Sequence, residues 1–143
     1  MGPMRRFRSY PLGVRLVLTA YAIAFLIGTA THVRNLLQGY SCPHHPLLNG
    51  YWSALTLADP LTVALLLLAP RPGLLLAAGI MLTDVAINST ASYLYLDADG
   101  RYAVDSFVQL QSAFLGFLLG SAPFVWTHLA SRGRSRVVQT QAL

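Results

Sequence analysis

Hydrophobic positions fall into four long blocks, at about 12–33, 50–69, 73–96 and 104–129, separated by short stretches in which Pro, Gly, His, Asp or Arg take over. Each block has about 19 to 26 residues, the length that about 30 Å of hydrocarbon demands of a helix rising about 1.5 Å per residue. The pattern predicts an all-α integral membrane protein. Four antiparallel transmembrane helices form one membrane domain over residues 1–143, with 130–143 a flexible basic tail. Only "PRP", Pro70 to Pro72, parts the second block from the third. Proline lacks the amide proton and suits a first helical turn, so this tripeptide ends one helix and starts the next as a tight hairpin. The other connections, "RNLLQGYSCPHHPLLNG" and "DADGRYA", carry the turn-forming residues of exposed loops.

Composition agrees: of 143 residues, 55% are hydrophobic and 10% charged, and mean hydropathy is +0.52, outside the range of soluble domains. A net charge of +5 can signal nucleic acid, but here the arginines flank apolar blocks instead of forming a basic domain, so no nucleic-acid partner is expected. Their distribution sets topology. Arg5, Arg6, Arg8, Arg15, Arg71, Arg132, Arg134 and Arg136 share one side of a four-span bundle, with Arg34 and Arg101 opposite. The positive-inside rule then puts both termini in the cytoplasm. Every basic residue is Arg and every acidic one Asp, the bias of GC-rich codon usage, which points to a bacterial inner membrane. The rival reading of the first block is a cleaved signal peptide ending near "GTA", but its apolar run is longer than a usual signal core.

Two aspartates interrupt this hydrocarbon-soluble pattern. With the hairpin centred between Pro70 and Arg71, position 59 pairs with 82, and Asp84 lies about 3 Å from the level of Asp59. Both carboxyls then stand about halfway through the membrane, where each ionised Asp costs on the order of 2.5 to 3.5 kcal/mol. Neighbouring leucines offset that cost without giving a reason for the acids. No Lys or Arg lies at their depth, so the pair is expected to share a proton or to hold an imported cation or amine.

Helical spacing gathers further polar groups. Asn88 lies one turn from Asp84 on the stripe Ala77, Met81, Asp84, Asn88, Ser92, and Thr56 lies on the stripe Trp52, Thr56, Asp59, Val63. The fourth block offers Gln109, Ser112, Gly116 and Gly120 on one face, and its "GFLLG" lets helices approach closely. The proposed ligand- or ion-binding group is therefore Asp59, Asp84, Asn88, Thr56 and Gln109. Each member also has a structural reading. Asp59 before Pro60 suits the N-cap of a broken helix, and Asp84 with Asn88 suits an interhelical clamp.

No metal site is expected. His32, Cys42, His44 and His45 supply ligand chemistry on one side, but their spacing fits no zinc signature. The single cysteine excludes an internal dithiol. It also sets the chain apart from the vitamin K epoxide reductase pattern, while the absence of glutamate sets it apart from the small multidrug transporters. No nucleophile with an adjacent base is visible, so the sequence names no reaction and no cofactor. Two readings stand: a midplane site that binds or passes a proton, cation or small amphipathic ligand, and an accessory subunit whose polar residues specify packing within the bilayer against a second copy or another membrane protein.

Overall fold

The computed structural model describes residues 7–38, 46–94 and 106–141. These residues form four helices: α1 (Leu12–Gln38), α2 (Pro46–Leu68), α3 (Pro70–Leu94) and α4 (Ser106–Gln141). Each contains a stretch long and apolar enough to cross a membrane, Leu12–Gln38, Pro46–Leu68, Pro70–Ser92 and Phe107–Leu129. Four apolar helices of that length are the pattern of a multi-pass membrane protein.

The helices extend beyond the hydrophobic blocks. α1 continues through Arg34 and Asn35 to Gln38, and the basic stretch after Leu129, expected as a tail, is helical as far as Gln141. Hydropathy marks where hydrocarbon ends, whereas a formed helix propagates with one new hydrogen bond for each residue it fixes. His32 consequently lies well inside α1 and is buried, although the sequence put it at a segment end.

The core stripe of α1, Val14, Leu18, Tyr21 and Phe25, repeats at intervals of four, three and four residues, as one helix face requires. It packs with Leu66 of α2, Ala77 and Met81 of α3, and Leu118 and Val125 of α4. Leu16, Ile23, Leu57, Leu75 and Leu82 point outward. Lipid is as apolar as leucine, so this separation of faces rests on packing shape and polar contacts instead of on hydrophobic burial.

Each helix packs on its neighbours in sequence, and α4 closes on α1 through a sparser seam. Tyr21 fastens that seam, its hydroxyl donating to the Leu118 carbonyl at 3.2 Å and meeting Ser121 Oγ at 2.7 Å.

Ala69 alone separates α2 from α3. Its amide donates to the Leu65 carbonyl at 2.7 Å, and its carbonyl accepts from Gly73 N at 3.1 Å, so Pro70 occupies the first helical turn. Gly73 is required here, because a Cβ would stand 2.5 Å from the Leu66 backbone nitrogen. The hairpin thus turns earlier than the expected centre between Pro70 and Arg71, and the register shifts with it. Counted from Ala69, Asp59 faces the region of Gly79 and Ile80, leaving Asp84 a little over one helical turn, roughly 6 to 7.5 Å, beyond its level. The expected level alignment of the acids is corrected accordingly.

Candidate functional site

Asp84 is 5% exposed, and both of its oxygens are occupied. Asn88, one turn along α3, donates from Nδ2 to Oδ1 at 3.0 Å, and Gln111 of α4 donates from Nε2 to Oδ2. Asn88 Nδ2 also reaches Gln111 Oε1 at 3.1 Å, and Trp52 of α2 donates its indole N–H to Asn88 Oδ1 at 2.9 Å. A single network therefore ties α2, α3 and α4 together around this carboxyl. Hydrogen bonds to a charged acceptor are the stronger kind, and leaving such an acceptor bare in a dry interior is costly. Asp84 is thus held by the protein's own donors.

Asp59 is different. It is 4% exposed, yet among the described residues no hydrogen-bond donor serves its carboxyl. Among the described residues its nearest basic atom is His32 Nε2, 3.9 Å from Oδ2, beyond hydrogen-bond distance and an ion pair only when the ring is protonated. Arg15 is half-buried and Arg34 exposed, and neither pairs with the aspartates. Pro60 lies inside an unbroken α2, so Asp59 is not the N-cap of a broken helix. Gly28 of α1 passes close by: a Cβ there would stand 2.7 Å from Asp59 Oδ2, so glycine leaves the carboxylate its space. Gly28 and His32, four residues apart, share the α1 face that flanks Asp59.

Asp59 and Asp84 both line a cavity of about 240 Å³, with His32 and Gln111 completing its polar end. Phe25 and Ile27 of α1, Ile80 and Met81 of α3, and Phe107 and Phe114 of α4 form most of its apolar wall. At about 30 Å³ per water, the space equals on the order of eight waters. A small molecule with an apolar body and one polar end matches this lining. No hydroxyl or thiol is among the described residues lining it.

The structure brings together Asp59, Asp84 and Asn88 from the expected group. Thr56 lies one turn from Asp59 with its hydroxyl buried and unpartnered among the described residues, but it does not line the cavity. Gln109 is exposed, and the glutamine that reaches Asp84 is Gln111. Two residues turn a helix by about 200°, so these side chains lie on nearly opposite faces. The whole stripe Gln109, Ser112, Gly116, Gly120 faces outward, and a Cβ at either glycine would meet nothing within 4 Å, so the two glycines of "GFLLG" mark no close helix contact within the bundle. The signal for the inner face was the bulky stripe Phe114, Leu118 and Val125, which Gln111 begins.

His32 is a neighbour of Asp59 that a search for Lys and Arg at its depth does not find. Among the described residues no three His, Cys, Asp or Glu side chains gather as a metal site. Cys42, His44 and His45 fall outside the described residues. No family model matches the chain, and neither a curated protein nor a solved structure matches it.

Proposed function

We propose that this protein binds a small amphipathic molecule inside the membrane, with Asp59 accepting the cationic or hydrogen-bond-donating end of the ligand. One observation carries this reading: of two buried aspartates on one cavity, Asp84 has both oxygens bonded by the protein, and Asp59 has neither bonded among the described residues. An ionised Asp at mid-membrane costs on the order of 2.5 to 3.5 kcal/mol, which a bound cation or donor offsets and which packing alone does not. A bare inorganic cation fits less well, because hard cations take about six oxygen ligands and this lining offers few beyond the two carboxyls.

The reading carries the sequence-based topology with it. Both termini and the α2–α3 hairpin, with the arginine-rich flanks, face the cytoplasm, and the bilayer is a bacterial inner membrane. Asp84, Asn88, Gln111 and Trp52 hold three helices in register around the cavity. Their clamp supports a packing role for those residues, while the accessory-subunit reading gives Asp59 no task.

The test is thermal stabilisation of the purified protein in detergent by n-hexylamine, which is of the cavity's size, against n-hexanol. Wild type should be stabilised by the amine more than by the alcohol, and Asp59→Asn should lose that difference. Equal stabilisation of wild type and Asp59→Asn by the amine would reject Asp59 as the receiving group.

A further inference from the structure

The ligand's class and its route follow from where the cavity opens. We propose that the molecule held at Asp59 is a single-chain amphiphile with a protonated amine, reaching the carboxylate sideways from the lipid between α1 and α4 and leaving its chain in that gap. This inference rests on the ligand reading above and adds to it the direction of access and the shape of the molecule.

The seam between α1 and α4 is closed over only part of its length. Toward the termini, Tyr21 bonds to Leu118 and Ser121, and Phe25 meets Phe114 edge-on at 6.0 Å between ring centroids. Beyond Phe25, the antiparallel register sets Ile27, Gly28 and His32 opposite Gln111, Leu110 and Phe107, and these residues line the cavity instead of filling it. The rim faces outward: Ile27 is 61% exposed, Leu110 68% and Phe107 38%. In a membrane that exposure is to acyl chains.

Along the bundle axis, rings on one side of this stretch and a hydrogen-bonded network on the other cross between helices. Tyr21, Phe25, Phe114 and Phe117 pack edge to face on the side of the termini. On the other side, the Trp52–Asn88–Gln111 network crosses the bundle among the described residues. What remains is the lateral gap, apolar at its rim and acidic at its inner end.

The volume limits the occupant. About 240 Å³ holds an amine and its first methylenes, and is too small for the glycerol and paired chains of an ordinary membrane lipid. With its head at Asp59, a longer chain would pass the rim at Ile27 and Leu110 and run on into the bilayer. Charge selects the head group. Among the described residues Asp59 is the acceptor without a donor, and a protonated amine supplies both the charge and the hydrogen bonds.

A long-chain primary amine with a diazirine at the chain end tests this in proteoliposomes, with photolabelled peptides mapped by mass spectrometry. Wild type should be labelled on the α1 and α4 segments that border the gap. Unlabelled n-dodecylamine should compete, and Asp59→Asn should reduce the labelling about tenfold, the loss that about 1.4 kcal/mol of head-group binding represents. Leu110→Trp, at the rim of the gap, should reduce both labelling at the gap and stabilisation by n-hexylamine, while the unfolding midpoint without amine stays at the wild-type value. That separates a blocked gap from a misfolded site. Asp59-dependent labelling elsewhere in the bundle would overturn the lateral route and leave the Asp59 site standing. Labelling that is indifferent to Asp59 and to competitor, or none above the lipid background, would overturn both.

Discussion

Gly28 and Asp59 are fitted to each other: the α1 backbone passes so close to the buried carboxylate that a Cβ at residue 28 would stand 2.7 Å from Oδ2. The atom it would meet ends a short side chain that can rotate, so an added methyl displaces the carboxylate instead of splitting the helices. Gly28→Ala gains about 1 kcal/mol of helix propensity and loses about 1 to 3 kcal/mol to crowding. Net stability should therefore change by less than about 2 kcal/mol, while amine binding falls sharply. Unfolding by denaturing detergent and n-hexylamine stabilisation, measured on one preparation, check this. Unchanged binding would mean that the Asp59 carboxylate does not need the space that Gly28 leaves.

The two glutamines of α4 should respond in opposite ways. Gln111→Leu removes a donor from the Asp84 carboxyl and an acceptor from Asn88, so a loss of about 1 to 3 kcal/mol is expected. Gln109→Leu, on the outer face, should stay within about 0.5 kcal/mol of wild type. The reversible unfolding midpoint of each variant is the measurement. Equal losses would mean that the clamp contributes nothing particular to stability.

The α2–α3 hairpin makes a comparable pair. Gly73→Ala puts a methyl 2.5 Å from the Leu66 backbone nitrogen and 2.7 Å from the Leu65 carbonyl carbon, and no flexible group is available to move aside. A loss of about 2 kcal/mol or more is expected despite the propensity gain. Gly79→Ala meets nothing within 4 Å and should be neutral or stabilising by up to about 1 kcal/mol. Thermal denaturation of both variants, side by side, separates crowding from propensity.

Much of this architecture is legible in the letters, because block length, proline punctuation and the cost of unsatisfied backbone in lipid leave little besides four helices. Asp59, Asp84 and Asn88 are legible for a related reason: polar groups in hydrocarbon are costly, and helical spacing places the last two on one face. Gln109 illustrates where that reasoning stops. In water a polar or small stripe faces out and a bulky one faces in, but in lipid both faces are bounded by apolar matter, and polarity does not say which face of α4 turns inward. His32 stands near the end of the first hydrophobic block but well inside its helix, because α1 continues to Gln38 beyond that block. The register of the acids depended on a hairpin centre, and moving that centre to Ala69 shifted Asp84 by about one turn.

The most direct measurement is the isotope-edited infrared difference spectrum of the aspartate carboxyls when n-hexylamine is added to the protein in lipid. The expected result is an amine-induced carboxyl band in wild type that disappears in Asp59→Asn and survives in Asp84→Asn, since the Asp84 oxygens are already held by Asn88 and Gln111. A band that persists unchanged in Asp59→Asn, or one that vanishes only in Asp84→Asn, would contradict the assignment of Asp59 as the group that meets the ligand.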